Sequence, residues 1–264
     1  MSRRALVTGG ASGLGLALTE LLVARGDTVL VVDLADERPD TVPEGAAYRR
    51  LDVRSQQDWD AALAEVRDTW GGLDLLVNNA GIATGGRIDV EAISDWERVV
   101  DINLLGVARG CHTFTPLLKQ QRSGHIVNVA SLAGLVHPAG MASYNAVKAA
   151  VVALTETTGH ELEAYGVRAS VVCPSYFRTN LMDSIQGADT ALADMVAHLV
   201  ESSPLTAHVI AASVIAGIDA GHELIVPDVA AQSAWSLKQH DRLNYDLMMR
   251  AQANKLHRLA GEDL

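Results

Sequence analysis

A chain of 264 residues, 48% hydrophobic and 20% charged, has the interior of a soluble α/β protein, and one domain is expected over residues 1–227. A formal net charge of −11, with no basic run longer than pairs such as Arg3-Arg4 and Arg49-Arg50, argues against a nucleic-acid or anionic-membrane partner. Cys111 and Cys173 suggest neither a disulfide framework nor a metal site, the histidines lack metal-ligand spacing, and no apolar run matches a signal core or a membrane span, so the expectation is cytoplasmic and metal-free.

Short β-branched or aliphatic runs predict strands over residues 5–8, 28–33, 47–52, 73–78, 125–130, 168–172 and 223–226. Longer helical patterns fall between them, over 13–25, 56–69, 94–118, 142–164 and 206–221. This alternation predicts a Rossmann-type, doubly wound parallel sheet of about seven strands with helices on both faces. The unbroken apolar run Val29-Leu30-Val31-Val32 suits a strand covered on both sides.

The first strand leads into Thr8-Gly9-Gly10-Ala11-Ser12-Gly13-Leu14-Gly15, which opens a helix. Glycines permit a tight turn and close approach of a pyrophosphate, whose charge is favoured at a helix N-terminus. Gly9, Ser12, Gly13, Leu14 and Gly15 are therefore candidate cofactor contacts. Asp33 ends the second strand, where a carboxylate accepts hydrogen bonds from an adenosine ribose and repels a 2′-phosphate. The nearest basic residue downstream is Arg38, so NAD is expected over NADP.

Tyr144 and Lys148 stand four residues apart on a predicted helix, which puts phenol and ammonium on one face. A phenol titrates near ~10, and a cation at ~4 Å contributes on the order of 4 kcal/mol at an effective dielectric of ~20. The expectation is a phenol lowered towards neutrality, an acid/base device. Residues 180–204 carry no strand pattern and read as a substrate-covering loop. Residues 228–264 form a helical tail, with Leu237, Leu243, Leu247 and Met248, able to dock on its own domain or on a partner.

With the glycine loop, Asn78-Asn79-Ala80-Gly81, Asn103, Ser131 and Tyr144-x-x-x-Lys148 in this order, the chain resembles the short-chain dehydrogenase/reductase family. The likeness is to its compact branch and covers about residues 4–226. It implies hydride transfer between a nicotinamide cofactor and an alcohol or ketone. It also implies roles: Tyr144 as acid/base, Lys148 as its electrostatic partner and ribose contact, Ser131 orienting the substrate oxygen, and Asn103 holding a water that links Lys148 to solvent. Cofactor contacts are further implied at Asp52, Val53, Asn79, Ala80, Gly81, Tyr144, Lys148, Pro174, Phe177 and Thr179.

Two features depart from the family pattern. Ser175 follows Pro174 where glycine is common, and the usual glycine-rich segment after the last strand is replaced by the tail. A homodimer through helices 94–118 and 142–164, or a homotetramer, is expected. Leu135, Val136, His137, Met141, Ala142, Tyr176, Phe177 and the segment 180–204 supply a mainly apolar wall, which favours an apolar secondary alcohol or ketone. His137 reads as a loop residue, and Trp59, Trp70, Trp96 and Trp235 as packing. The competing readings are an NADP-preferring ketoreductase and a non-catalytic cofactor-binding protein.

Overall fold

The computed structural model describes residues 2–178 and 189–262. Strands β1 (Arg4–Thr8), β2 (Thr28–Asp33), β3 (Ala46–Arg50), β4 (Leu75–Asn78), β5 (Gly124–Val129), β6 (Val167–Val172) and β7 (Leu224–Ile225) form one parallel sheet in the order β3-β2-β1-β4-β5-β6-β7. The chain steps outward from β1 through β2 and β3, then crosses to the other side at β4. The loops after β1 and β4 therefore diverge and leave a crevice at the C-terminal edge, where open α/β sheets bind ligands.

Alternation along β1 explains why both faces are covered. Ala5 and Val7 point into a core with helices α1 (Gly13–Ala24) and α8 (Ala207–Ala220), while Leu6 points into a core with α2 (Gln56–Trp70), α4 (Gly106–Gln121) and α6 (Ala142–Leu162). In the second core Trp59 is fully buried, edge-on to Phe114 at 6.3 Å, and its indole N–H donates to the Val53 carbonyl. Among the described residues no helix is long and apolar enough to cross a membrane.

Several expectations need correction. The third strand stops at Arg50, because Asp52 starts a turn in which its carboxylate accepts the Arg54 N–H at 2.9 Å. The helix expected over 94–118 is two helices, α3 (Ile93–Val100) and α4, joined by a π-helical turn at Asp101–Leu105. A π turn inserts one residue, which periodicity does not signal. A short helix α5 (Ala133–Val136) follows Ser131.

Where described, the loop expected over 180–204 is largely helix α7 (Thr190–Glu201), capped by the Asp189 carboxylate accepting the Leu192 N–H. Leu192, Val196 and Val200, four residues apart, are its buried stripe. Thr179 and residues 180–188 lie outside the described residues.

The tail is two helices, α9 (Val229–His240) and α10 (Arg242–Leu259), broken at Asp241, whose side chain caps α10. It docks on its own chain around the segment after Ser131. The Lys238 ammonium donates to the Leu135 carbonyl and contacts His137 Nδ1, both at 2.6 Å, and the Tyr245 hydroxyl donates to the Val136 carbonyl. His137 itself takes a left-handed backbone (φ 57°), held in this latch.

Candidate active site

A cleft of about 1050 Å³ opens along the C-terminal edge of the sheet. Gly9, Ser12, Gly13 and Leu14 line one part of it. Gly9 and Gly13 have φ of 62° and 54°, and a Cβ on Gly9 would stand 2.9 Å from the Ala80 Cα, so the turn needs glycine to pass the β4 loop. Gly15 does not line the cleft. It packs behind it, where a Cβ would lie 2.1 Å from the Gly9 carbonyl oxygen.

The Thr8 hydroxyl accepts the N–H groups of Asn79 and Ala80 at 2.9 Å, and the Asn79 amide donates to the Thr8 and Gly9 carbonyls. These bonds stitch the glycine turn to the β4 loop. The first intrahelical bond of α1 comes from Leu16, and Ser12 makes no side-chain cap, so the N–H groups of residues 13–15 remain as donors at the cleft end of the helix. Asp33 lines the cleft beside this turn, accepting N–H bonds from Ala11 (3.1 Å) and Leu34 (2.8 Å). Two left-handed glycines, free helix N–H groups and an acid at the end of β2 fit a dinucleotide.

Asp52, Val53, Asn79, Ala80, Gly81, Pro174 and Phe177 also line the cleft; Thr179 lies outside the described residues. The Asp52 carboxylate is clamped by the Arg54 guanidinium, 2.7 Å at the closest, which holds it below its usual carboxylate range. Arg38 faces away, donating to the Val42 and Pro43 carbonyls.

Ser131, Tyr144 and Lys148 share another wall of the same cleft. Burial pushes the Tyr144 phenol up to about 12, outweighing Ser131 beside it, which acts to lower it. The Lys148 ammonium lies 5.6 Å from the Tyr144 ring centroid and donates to the Val129 carbonyl at 2.9 Å; burial pushes it down to about 8. This corrects the expectation of a phenol lowered by its neighbour. The ammonium sits beside the ring, engaged elsewhere, and desolvation of both groups outweighs their attraction.

Asn103 does not line the cleft. It is fully buried in the π turn, its amide donating to the Ile82 carbonyl and accepting the Ile82 N–H, each at 2.9 Å. Gly81 stands between it and the lysine: a Cβ there would lie 3.1 Å from Asn103 Oδ1 and 3.8 Å from Lys148 Nζ.

Of the expected substrate wall, Val136, Met141, Tyr176 and Phe177 line the cleft; Leu135, His137 and Ala142 do not. Met195, Val196 and Leu199 of α7 join them, as do Ala251, Gln252 and Lys255 of α10. Sequence reasoning missed the α10 residues, because their helical spacing says nothing about where the helix docks. Among the described residues, no group of three or more His, Cys, Asp or Glu side chains is placed to hold a metal ion.

The family model described as short chain dehydrogenase matches residues 3–189. The chain belongs to the short-chain dehydrogenase/reductase family. A 3-alpha-(or 20-beta)-hydroxysteroid dehydrogenase of Mycobacterium bovis is 37% identical over 183 residues, 68% of this chain and 70% of that protein. A 2-(R)-hydroxypropyl-CoM dehydrogenase of Xanthobacter autotrophicus is also 37% identical, over 68% of this chain and 76% of its own length. A solved short-chain dehydrogenase/reductase from Burkholderia phymatum, in complex with NAD, superposes with a TM-score of 0.85 at 30% identity, covering 91% of this chain and 94% of that one. The protein is thus a short-chain oxidoreductase of the NAD(P)-dependent kind.

Proposed function

We propose that this short-chain dehydrogenase exchanges hydride between NAD(H) and an apolar secondary alcohol or ketone. The observation that carries the reading is one continuous cleft with the glycine turn and Asp33 on one wall and Ser131, Tyr144 and Lys148 on another. The cofactor would be held by the turn at Gly9, Ser12, Gly13 and Leu14, by Asp33, by the loops at Asp52-Val53 and Asn79-Ala80-Gly81, and by Pro174, Phe177 and Thr179. When bound, the nicotinamide gives up or accepts the hydride. NAD is favoured because Asp33 faces the cleft while Arg38 is turned away.

At neutral pH the buried Tyr144 phenol holds its proton, ready for delivery to a ketone oxygen. The Ser131 hydroxyl, on the same cleft as that phenol, donates to the same oxygen and orients it. Lys148, close to neutral titration, replaces the proton that Tyr144 gives up, and Asn103 keeps the Gly81-Ile82 backbone in place beside it. In oxidation the same groups run in reverse. The apolar wall of Met141, Tyr176, Met195 and Val196, and the hydroxysteroid specificity named for one relative, support an apolar substrate. Pairing of two copies through α4 and α6 belongs to the same proposal and is tested by molar mass in solution.

The test is a panel of secondary alcohols and ketones followed by NADH and NADPH absorbance, with the wild type and Tyr144→Phe. Turnover should fall by about 10²- to 10⁴-fold in the variant while NADH binding, read by fluorescence, persists. Wild-type turnover by Tyr144→Phe would falsify the proton-handling role.

A further inference from the structure

On the substrate side of the cleft, α7 and α10 add the polar side chains His198, Gln252 and Lys255 to a mostly apolar lining. Lys255 precedes Leu256, which is buried in the cluster that includes Tyr144, Met141 and Leu192. Ala251 and Gln252, four and three residues earlier, share its helix face and line the cleft with it. The ammonium is thus carried on a helix anchored against the catalytic tyrosine's own packing cluster.

Its charge is unmatched. The chain has four lysines, in a sequence with 32 acids to 21 lysines and arginines. Lys119 lies over the Tyr165 ring, Lys148 is bound to the Val129 carbonyl, and Lys238 is bound to Leu135 and His137. Lys255 has no hydrogen bond, ion pair or ring contact among the described residues, although acids outnumber bases. The acids that line the cleft, Asp33 and Asp52, belong to its dinucleotide end, and Asp52 is clamped by Arg54. Arg98 also reaches the cleft, from the α3 wall four residues before Ile102, with Asp95 at 3.9 Å.

We propose that Lys255 receives a carboxylate at the distal end of the substrate, so that the natural substrate class is a hydroxy or oxo acid with an apolar body. Its alcohol or ketone meets Tyr144 and Ser131, its body lies against Met141, Tyr176 and Val196, and its carboxylate reaches Lys255, with His198 as the neighbouring donor. This rests on the hydride-transfer reading. Because Lys255 is exposed, solvent and salt screen the contact, and its effect is a modest, salt-sensitive preference.

The experiment compares a series of medium-chain oxo acids, from oxohexanoate to oxodecanoate with the ketone beside the terminal methyl, with their methyl esters. Each is reduced with NADH and with NADPH at low ionic strength. The wild type should prefer acid to ester by about two- to fivefold in kcat/KM, expressed in KM. The preference should fall to about one in Lys255→Gln and invert in Lys255→Glu. Turnover of both forms without preference, or a preference unchanged in Lys255→Gln, overturns the carboxylate subsite alone. Absence of turnover of any ketone by the wild type overturns the hydride-transfer reading, and the subsite with it.

Discussion

The Ser175 hydroxyl donates to the Asp228 carboxylate at 2.7 Å, and the Ser175 N–H donates to the same carboxylate at 3.0 Å. Asp228 is buried and also caps α9 by accepting the Ala231 N–H. One carboxylate therefore ties the Pro174–Phe177 stretch of the cleft to the start of the C-terminal helices. Serine in place of the glycine common in the family thus has a structural partner here.

Ser175→Ala should cost about 1–3 kcal/mol, because it removes one donor from a buried carboxylate. Urea unfolding measures this, and an unchanged midpoint would show that the bond adds nothing. The same variant is expected to raise KM for NADH, since the loop it releases lines the cleft.

Lys148 makes stability depend on pH in a defined window. Its folded-state value, about 8, lies below the ordinary value of 10.5, so between these values the unfolded chain keeps a proton the folded chain has released. Stability from this group therefore rises as pH increases through that window, and the cost of the buried ammonium is full below it. The stability difference between wild type and Lys148→Met should shift in favour of the wild type by up to ~3 kcal/mol from pH 7 to pH 10.5. A flat difference would place the ammonium in a wetter site.

Asp33→Arg exchanges the ribose acceptor for a phosphate partner beside the glycine turn. The ratio of kcat/KM for NADPH over NADH should rise by at least about tenfold, and an unmoved ratio removes Asp33 from cofactor choice.

Gly15→Ala places a methyl group 2.1 Å from the Gly9 carbonyl oxygen and 2.5 Å from the Asn79 amide. The turn must shift, at about 1–3 kcal/mol or more, and NADH affinity should fall with the melting temperature. Undiminished affinity would show that the turn does not need this packing.

Leu256→Ala empties a buried site on the cluster around Tyr144. A loss of about 2–5 kcal/mol is expected, together with a raised substrate KM, because α10 carries part of the cleft wall. Steady-state kinetics beside thermal unfolding separates this from a tail that only decorates the surface.

Local signals in the chain were enough for the sheet and for the residue types of the proposed chemistry. The apolar run of β2, the glycines after β1 and the Tyr144–Lys148 spacing each act over a few residues, so periodicity and motif order reveal them. The π turn at Asn103 was hidden because one inserted residue leaves the helical pattern nearly intact. Helix α7 was hidden because its stripe of Leu192, Val196 and Val200 is short and follows a stretch without pattern.

The tertiary structure alone decided the protonation tendencies of Tyr144 and Lys148, since desolvation depends on what packs around a group. It also decided which helix closes the cleft. Ser131 and Lys255 are 124 positions apart in the sequence, and only the docking of α9 through Lys238 and of α10 through Tyr245 and Leu256 brings them to one pocket. Short-range patterns report what a segment is; long-range packing determines what it faces.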